Sequence, residues 1–257
     1  GLTYLRPLQF AFESEKFMLP IRLGMINAKG PQELFVYVLS KNGRVETTNY
    51  MTVKIPTGMD IPPYIKKEFS AFYKDLFTRQ VEKENMKTVF MEYFWDMSWC
   101  DPCAAEPLTQ KELKGLGVFW LDSPPSETPT SSSSFRRRRR PSIGGAQPVK
   151  VTRLHLRYTN KTFPEDLMFH ETQDNRNFQG RYILRHPWKG SPRKCEEARR
   201  YLLKELPRRQ EKEAQNLARL TGWDINKIRK KIKITPVPKE PKEPGSSKKP
   251  WWQNLWQ

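Results

Sequence analysis

The chain has 257 residues and carries 46 Lys/Arg against 28 Asp/Glu, which gives a formal net charge of +18. Hydrophobic residues make up 37% of the sequence, which is enough to build the core of one large domain or two small ones. No run of about 18 apolar residues occurs, so no segment of this sequence is expected to cross a membrane as a helix.

The charge is unevenly distributed along the chain. Residues 1–122 carry 15 basic and 15 acidic side chains, whereas residues 149–234 carry 22 basic and 10 acidic ones. This asymmetry favours an anionic partner for the second half of the chain. The alternative is a solvated basic surface that binds no particular partner.

The first segments have the alternation of strands. Residues 6–13, RPLQFAFE, place every second side chain on one apolar face, and residues 17–26 predict a second strand at an edge or bulge because Pro20 interrupts it. Residues 33–40 and 45–55 flank Asn42-Gly43, a pair that favours both positive φ angles of a type I′ turn. A β-hairpin is therefore predicted there.

A helix and a strand follow. Pro62-Pro63 precede an apolar stripe at residues 65, 69, 72 and 76, which predicts a helix to about Gln80 that packs on a sheet. Residues 88–95, TVFMEYFW, are typical of a buried aromatic strand. Thr109 is a suitable N-cap for a short helix over 109–117, with Gly115 or Gly117 ending it.

The composition changes over residues 123–148, where Pro, Ser, Thr and Gly dominate. Such a segment cannot bury enough apolar surface to offset its ordering entropy, so a disordered insert is predicted. It contains a run of five basic residues: Arg136, Arg137, Arg138, Arg139 and Arg140. A run of this kind is compatible with binding to nucleic acid or anionic lipid, or with nuclear import in a eukaryote, and is weak evidence for each.

Periodic structure resumes after the insert. Strands are predicted over 150–159, 166–172 and 180–188, followed by a helix over 194–221 that Pro207 breaks and Gly222 ends. Asp224 is the expected N-cap of a last short helix. Residues 235–257 form a Pro/Lys-rich tail with tryptophans at 251, 252 and 256, and this tail is predicted to be disordered.

Together these elements predict an α+β fold: a mainly antiparallel sheet built from hairpins, with packed helices and a helical C-terminal segment. The predicted domain organisation has one domain formed by residues 1–122 and 149–234. The insert at 123–148 interrupts it, and the tail at 235–257 follows it.

The most specific motif is Trp99-Cys100-Asp101-Pro102-Cys103, which allows three interpretations. A redox site requires a cysteine at a helix N-terminus, but Pro107 delays a helix, and the βαβ context is missing. Zinc requires further ligands, and the remaining candidates have no standard zinc spacing. These candidates are Cys195, His155, His170 and His186. The third interpretation is a disulfide between Cys100 and Cys103, or from either to Cys195 or an upstream cysteine.

A second polar cluster, within residues 163–174, could hold a cation. It consists of Glu165, Asp166, His170, Glu171 and Asp174. A solvated strand edge is the favoured interpretation of these residues. The sequence contains no Gly-rich phosphate loop, no serine nucleophile elbow and no His-Glu-x-x-His motif, so no catalytic residue, metal site or cofactor is predicted.

Several phrases resemble the bacterial family catalogued as domain of unknown function 2330. They include residues 3–28, residues 30–39, WDMSWCDPCA at 95–104, ELKGLGVFWL at 112–121, FPEDLMFHET at 163–172, NFQGRYILRHPW at 177–188 and LTGWDI at 220–225. The resemblance extends from Gly1 to about Ile232, and the Ser/Arg insert interrupts it.

The resemblance implies a protein exported by a signal peptide, with an upstream half of the fold that would precede Gly1. An extracytoplasmic location is therefore expected: periplasmic, cell-envelope or secreted. Exported cysteines are usually paired, so the resemblance favours the disulfide interpretation. The resulting hypothesis is a non-enzymatic envelope module that binds another envelope protein or an anionic surface. The alternatives are a thiol–disulfide oxidoreductase that uses Cys100 and Cys103, and a nucleic-acid binder.

Overall fold

The computed structural model describes residues 15–98, 108–122, 147–191 and 195–232. The chain divides into two compact units. The first unit comprises Gly1–Thr57 and Phe77–Arg181, and the second unit comprises Gly58–Leu76 and Tyr182–Gln257.

The described residues contain ten strands and five α-helices. The strands are β1 (Met18–Leu19), β2 (Gln32–Ser40), β3 (Val45–Thr47), β4 (Met51–Lys54), β5 (Met59–Asp60), β6 (Thr88–Asp96), β7 (Lys150–Tyr158), β8 (Leu167–Glu171), β9 (Phe178–Gln179) and β10 (Tyr182–Ile183). The helices are α1 (Phe69–Lys83), α2 (Gln110–Gly115), α3 (Glu196–Arg200), α4 (Leu206–Thr221) and α5 (Ile225–Ile232).

The first unit is built on a five-stranded sheet in the order β2-β7-β6-β4, with β9 also paired to β6. β7 is antiparallel to both β2 and β6, while β4 runs parallel to β6. A three-stranded antiparallel sheet, β1-β8-β3, supplies further core side chains. The main buried cluster of this unit is Ile21, Val36, Val38, Val45, Val89, Met91, Phe94, Leu154, Leu156, Tyr158, Phe163, Leu167 and Phe169.

A β-bulge in β6 changes which side chains face this core. Met91 is opposite Leu154 and Tyr93 is opposite Arg153, so Glu92 is an extra residue without a partner of its own on β7. A bulge places two successive side chains on one face of the sheet. Glu92 and Tyr93 therefore share the face away from the core, and Phe94 returns to the core.

The predicted hairpin at Asn42-Gly43 is wrong. β2 pairs with β7 and β3 pairs with β8, so the two strands belong to different sheets. Neither Asn42 nor Gly43 has a positive φ, which a type I′ turn requires at both positions. Instead, their backbone N–H groups donate to the Glu171 carboxylate, at 3.2 Å from the Gly43 nitrogen. A carboxylate distant in sequence thus decides the geometry of this connection.

Three other strand predictions are too long. Of residues 17–26 only β1 is a strand, and a 3₁₀ turn follows over Arg22–Met25. Residues 45–55 divide into β3 and β4, and residues 180–188 contain only β10. The apolar pattern overstates burial in these segments, because Ile21, Val45 and Ile55 are their only buried large apolar side chains. Short pairing partners limit the ladders to the lengths observed.

The helix termini are predicted more accurately than the strands, because capping residues and glycines mark them in the sequence. Thr109 and Glu112 form a reciprocal capping box at the start of α2, and Gly222 ends α4 at φ 77°. The Asp224 carboxylate accepts the Lys227 N–H at 2.7 Å and caps α5. Pro207 does not break its helix, because a π-helical turn over Tyr201–Glu205 joins α3 to α4.

The α+β fold with mainly antiparallel sheets and a helical C-terminal segment is confirmed. The strands predicted near 88–95, 150–159 and 166–172 are present as β6, β7 and β8. The predicted strand over 6–13, the insert and the tail lie outside the described residues, apart from residues 147 and 148 at the end of the insert.

Gly43→Ala is expected to destabilise the first unit by about 1–3 kcal/mol. A Cβ atom there would lie 2.1 Å from the Thr172 carbonyl oxygen, so backbone must move. Urea unfolding measures the effect. Gly30→Ala is the matched control, since a Cβ at that position meets nothing within 4 Å. An equal effect of the two changes would contradict the close packing of this turn.

Candidate functional site

The most polar buried feature of the first unit surrounds His155 on β7. Only 2% of this residue is exposed, and its ring lies between the rings of Phe35 and Phe77, with centroid distances of 3.9 and 3.4 Å. Nδ1 lies 2.6 Å from Glu92 Oε1, and Nε2 lies 3.0 Å from Glu33 Oε1. Side chains of three adjacent strands therefore meet at one imidazole.

Two arginines complete this network. Arg157 donates to Glu33 Oε2 at 2.7 Å, and Arg153 Nε lies 3.0 Å from Glu92 Oε2 as an ion pair without hydrogen-bond alignment. Hydrogen bonds from His155 and Arg157 lower the pKa of Glu33 to about 2, against the opposing effect of burial. Since ionised carboxylates only accept, both ring nitrogens donate when the imidazole is protonated.

This arrangement is better suited to holding strands together than to acid–base chemistry. A general base needs a nitrogen within reach of a substrate proton. Both nitrogens of His155 already face carboxylates, and both faces of its ring are covered by phenylalanines. The His155 network therefore links β2, β6 and β7.

An apolar groove of about 890 Å³ lies at the C-terminal half of β2. Residues 37–42 contribute consecutively to its lining, and successive side chains of a strand point to opposite faces. The groove therefore follows the end of β2, and it also includes Val151 of β7, the register partner of Leu39. The other main contributors are Phe17, Leu108, Leu116, Val118, Trp120 and Val151.

The groove is open and has a polar end. Tyr37, Phe17, Leu116 and Leu108 are 62%, 50%, 48% and 44% exposed. Lys41 and Glu171 lie at the polar end, where Glu171 is already bonded to backbone N–H groups. These hydrogen bonds lower the pKa of Glu171 against the opposing effect of burial. The groove thus combines exposed apolar walls with one exposed cation.

The outer edge of β2 is the second notable feature of this groove. Among the residues that the structure describes, β7 is the only strand paired with β2. Alternate backbone N–H and C=O groups of β2 therefore point away from the sheet. Backbone donors and acceptors and apolar walls occur together at this edge.

The acidic cluster predicted within residues 163–174 is dispersed over separate contacts. Asp166 accepts the Arg22 N–H, Glu165 accepts from the Asn49 amide, and Asp174 pairs with Arg44 and Arg176. Within the described ranges, no group of three His, Cys, Asp or Glu side chains could hold a metal ion.

Of the predicted cysteine residues, the structure describes one. Cys195 is an exposed free thiol whose sulfur accepts the Ala198 N–H at 3.4 Å and caps α3. Cys100, Cys103 and the arginines at 136–140 lie outside the described residues. The disulfide and redox interpretations of the motif therefore stay predictions.

The second unit contains a buried carboxylate on α4. Glu213 is 1% exposed, and Arg209 Nε lies 3.3 Å from its Oε1 without hydrogen-bond alignment. Burial raises the pKa of Glu213 to about 7, and the nearby Asp60 carboxylate acts in the same direction. The charges of Arg209 and Arg185 oppose this increase.

Comparison with known proteins gives one match. The model of a family described as "Uncharacterized protein conserved in bacteria (DUF2330)" matches residues 2–170, roughly two thirds of the chain. No curated protein and no solved structure matches.

Replacing His155 by Phe is expected to destabilise the first unit by about 3 kcal/mol at pH 7. The new ring can still stack between Phe35 and Phe77, but the buried Glu92 carboxylate loses its 2.6 Å partner. Urea unfolding measures the loss. The control is His170→Phe at an exposed position of β8, for which a change within about 0.5 kcal/mol is expected. A wild-type midpoint for His155→Phe would contradict a structural role for the network.

In the wild-type protein, ionisation of Glu213 is expected to lower the free energy of unfolding as the pH rises from 4.5 to about 7. Glu213→Gln should remove this decrease, because glutamine does not ionise. The folded-state pKa exceeds the ordinary value of 4.5, so the penalty is absent below pH 4.5 and complete above about 7. It is on the order of 3 kcal/mol at pH 8. Urea midpoints at pH 4.5 and 8 measure it.

Glu211→Gln is the control of opposite sign. The hydrogen bond from Arg229 lowers the pKa of Glu211, so this carboxylate stabilises the fold above its ordinary pKa and loses that effect as the pH falls. Its removal should lower stability at pH 8. If both variants shift the pH 8 midpoint in the same direction, the assignment of Glu213 is wrong.

Proposed function

The chain belongs to the DUF2330 family of uncharacterised bacterial proteins, and we propose that it is a non-enzymatic binding module of the bacterial cell envelope. The groove along the outer edge of β2, which no strand covers among the residues that the structure describes, is the observation on which this proposal depends. The extracytoplasmic location is supported by the resemblance to exported proteins. The proposal includes a disulfide that involves Cys100 and Cys103, as expected of exported cysteines.

The occupant that fits this groove is an extended segment of another envelope protein. An added strand would pair with the outward N–H and C=O groups of β2, which is how β-strand addition gives affinity. Its alternate apolar side chains would meet Tyr37, Leu116 and Trp120, while Lys41 offers a cation to an acidic residue or a terminal carboxylate. A compact polar ligand would leave most of these walls without contacts.

The His155 network supports a binding role over a catalytic one. Its acid and base groups are bonded to one another and shielded by aromatic rings. The alternative of thiol–disulfide exchange depends on Cys100 and Cys103, and no described residue favours it.

A labelled octapeptide that alternates threonine with leucine and phenylalanine is the probe for this proposal, measured by fluorescence anisotropy. The full chain is expected to bind it, and Leu116→Glu and Tyr37→Glu should each weaken binding about tenfold, because a charge replaces an apolar contact. Both side chains are exposed, so the fold should tolerate the changes. A peptide with proline at alternate positions should not bind, since it lacks the required N–H groups.

Phe119→Glu is the matched control, because Phe119 is 71% exposed and is not part of the groove lining. Binding that Phe119→Glu reduces as strongly as Leu116→Glu would reject the groove as the site. Failure of the full chain to bind, together with binding by a chain that lacks residues 1–14, would show that the chain covers its own groove. That outcome would overturn the proposed binding to another protein.

A further inference from the structure

The second unit has a pocket of about 330 Å³ between the 3₁₀ turn over Pro63–Lys67 and helix α5. All of its lining residues belong to this unit. Six of the seven carry a polar or aromatic side chain: Tyr64, Glu68, Trp223, Asp224, Lys227 and Lys231. Ligand pockets usually have volumes of roughly 300–1,000 Å³, so this one suits a small molecule or one unit of a longer chain.

One face of α5 forms the polar side of this pocket. Asp224, Lys227 and Lys231 follow one another at three- and four-residue spacing, which places their side chains on the same side of the helix. Asp224 Oδ1 accepts the backbone N–H of Lys227 at 2.7 Å. The Lys227 side chain is exposed, and no carboxylate of the described residues pairs with it. Its ammonium group can therefore donate to a bound molecule.

Two half-buried aromatic side chains form the other walls, and both are held in place. Trp223 Nε1 donates to Asp75 Oδ2 at 2.6 Å. The Lys231 ammonium group is bonded to Glu68 and lies 4.6 Å from the centre of the Tyr64 ring. Burial raises the pKa of Tyr64 to about 12, so its hydroxyl stays protonated at neutral pH and can donate a hydrogen bond. Side chains that are already ordered lose little freedom when a ligand binds.

The charges of this pocket are balanced, although it is rich in hydrogen-bonding groups. The carboxylates of Glu68 and Asp224 offset the ammonium groups of Lys227 and Lys231. A strongly anionic ligand would meet two carboxylates, and a cationic one would meet two ammonium groups. A purely apolar ligand would take these charged groups out of water without replacing their hydrogen bonds. The lining therefore favours a neutral molecule whose hydroxyl groups both donate and accept.

From this arrangement we infer that the pocket binds a pyranose ring of a glycan chain. The C–H groups on one face of a pyranose are weakly positive and stack on the negative face of an aromatic ring. Its hydroxyls would accept from Lys227 and donate to Asp224 and Glu68, as charge-assisted hydrogen bonds. They can reach Glu68 and Lys231 without separating this ion pair, with which the ammonium and carboxylate of a free amino acid would compete. The inference does not depend on the β2 groove.

Fluorine NMR of the full chain, with its eight tryptophans replaced by 5-fluorotryptophan, tests the inference. The resonance of Trp223 is the one that disappears in Trp223→Phe. The probes are trisaccharides of glucose, N-acetylglucosamine, galactose and mannose at millimolar concentration. At least one of them should shift the Trp223 resonance in a saturable way, because a sugar ring would lie against this indole.

Two lysine variants of α5 form a matched pair for this titration. Lys227→Ala should weaken binding of the active trisaccharide about tenfold, because a charge-assisted hydrogen bond is lost. Lys230→Ala removes an exposed lysine of the same helix that does not line the pocket, and should change the affinity less than about twofold. Both side chains are exposed, so the fold should tolerate either change, which circular dichroism verifies.

Three results would overturn the inference. The first is an unchanged Trp223 resonance with all four trisaccharides. The second is an equal loss of affinity in Lys227→Ala and Lys230→Ala, which would place the sugar elsewhere. The third is a shift of the Trp223 resonance by free phenylalanine and by no trisaccharide, which would assign the pocket to an aromatic amino acid. The peptide assay of the β2 groove is a separate measurement, so failure of either proposal is distinguishable from failure of the other.

Discussion

The arrangement of the first unit depends on a buried ionic contact that joins its three central strands. His155 on β7 lies between Glu33 of β2 and Glu92 of β6, and two arginines balance the carboxylates. Removing charges from water costs several kcal/mol each unless partners and hydrogen bonds replace the water. The strands must therefore keep the register that brings these groups together. A one-residue slip would leave carboxylates buried without partners.

The bulge in β6 reconciles this ionic contact with the hydrophobic core. Because the bulge adds one residue, Glu92 and Tyr93 both face away from the core, and Met91 and Phe94 on either side of them both reach it. The opposite face of the sheet is thereby occupied by the charged side chains of the His155 network and by the aromatic rings that stack on them. The apolar groove lies at the C-terminal half of β2, whose outer edge has no partner strand within the described ranges. This separation is why we place binding at the edge and stability at the His155 network.

The order of charged residues along the sequence differs from the distribution of charge on the folded surface. The second half is basic, but glutamates lie between the basic residues of the helix when it is considered as a linear pattern. Burial of Glu213 and pairing of Glu211 with Arg229 remove two of these glutamates from the exposed face. Neither the burial of Glu213 nor the pairing of Glu211 can be recognised from the neighbouring sequence, because both depend on how α4 packs with α5 and with the start of the second unit. The distribution of exposed charge along this helix is therefore a property of the folded chain.

The sequence alone determined the features that depend on neighbouring residues. They are the capping box at Thr109, the end of α4 at Gly222, the start of α5 at Asp224, and the periodicity of β6 and β7. A charge within the aromatic strand 88–95 could also have indicated a buried partner for Glu92. Only the tertiary structure decided that Asn42-Gly43 binds Glu171 and closes no hairpin, and that Glu33, Glu92 and His155 meet. These contacts join residues 63 or more positions apart. Their free energy comes from removing charges and apolar surface from water together, which no local pattern specifies.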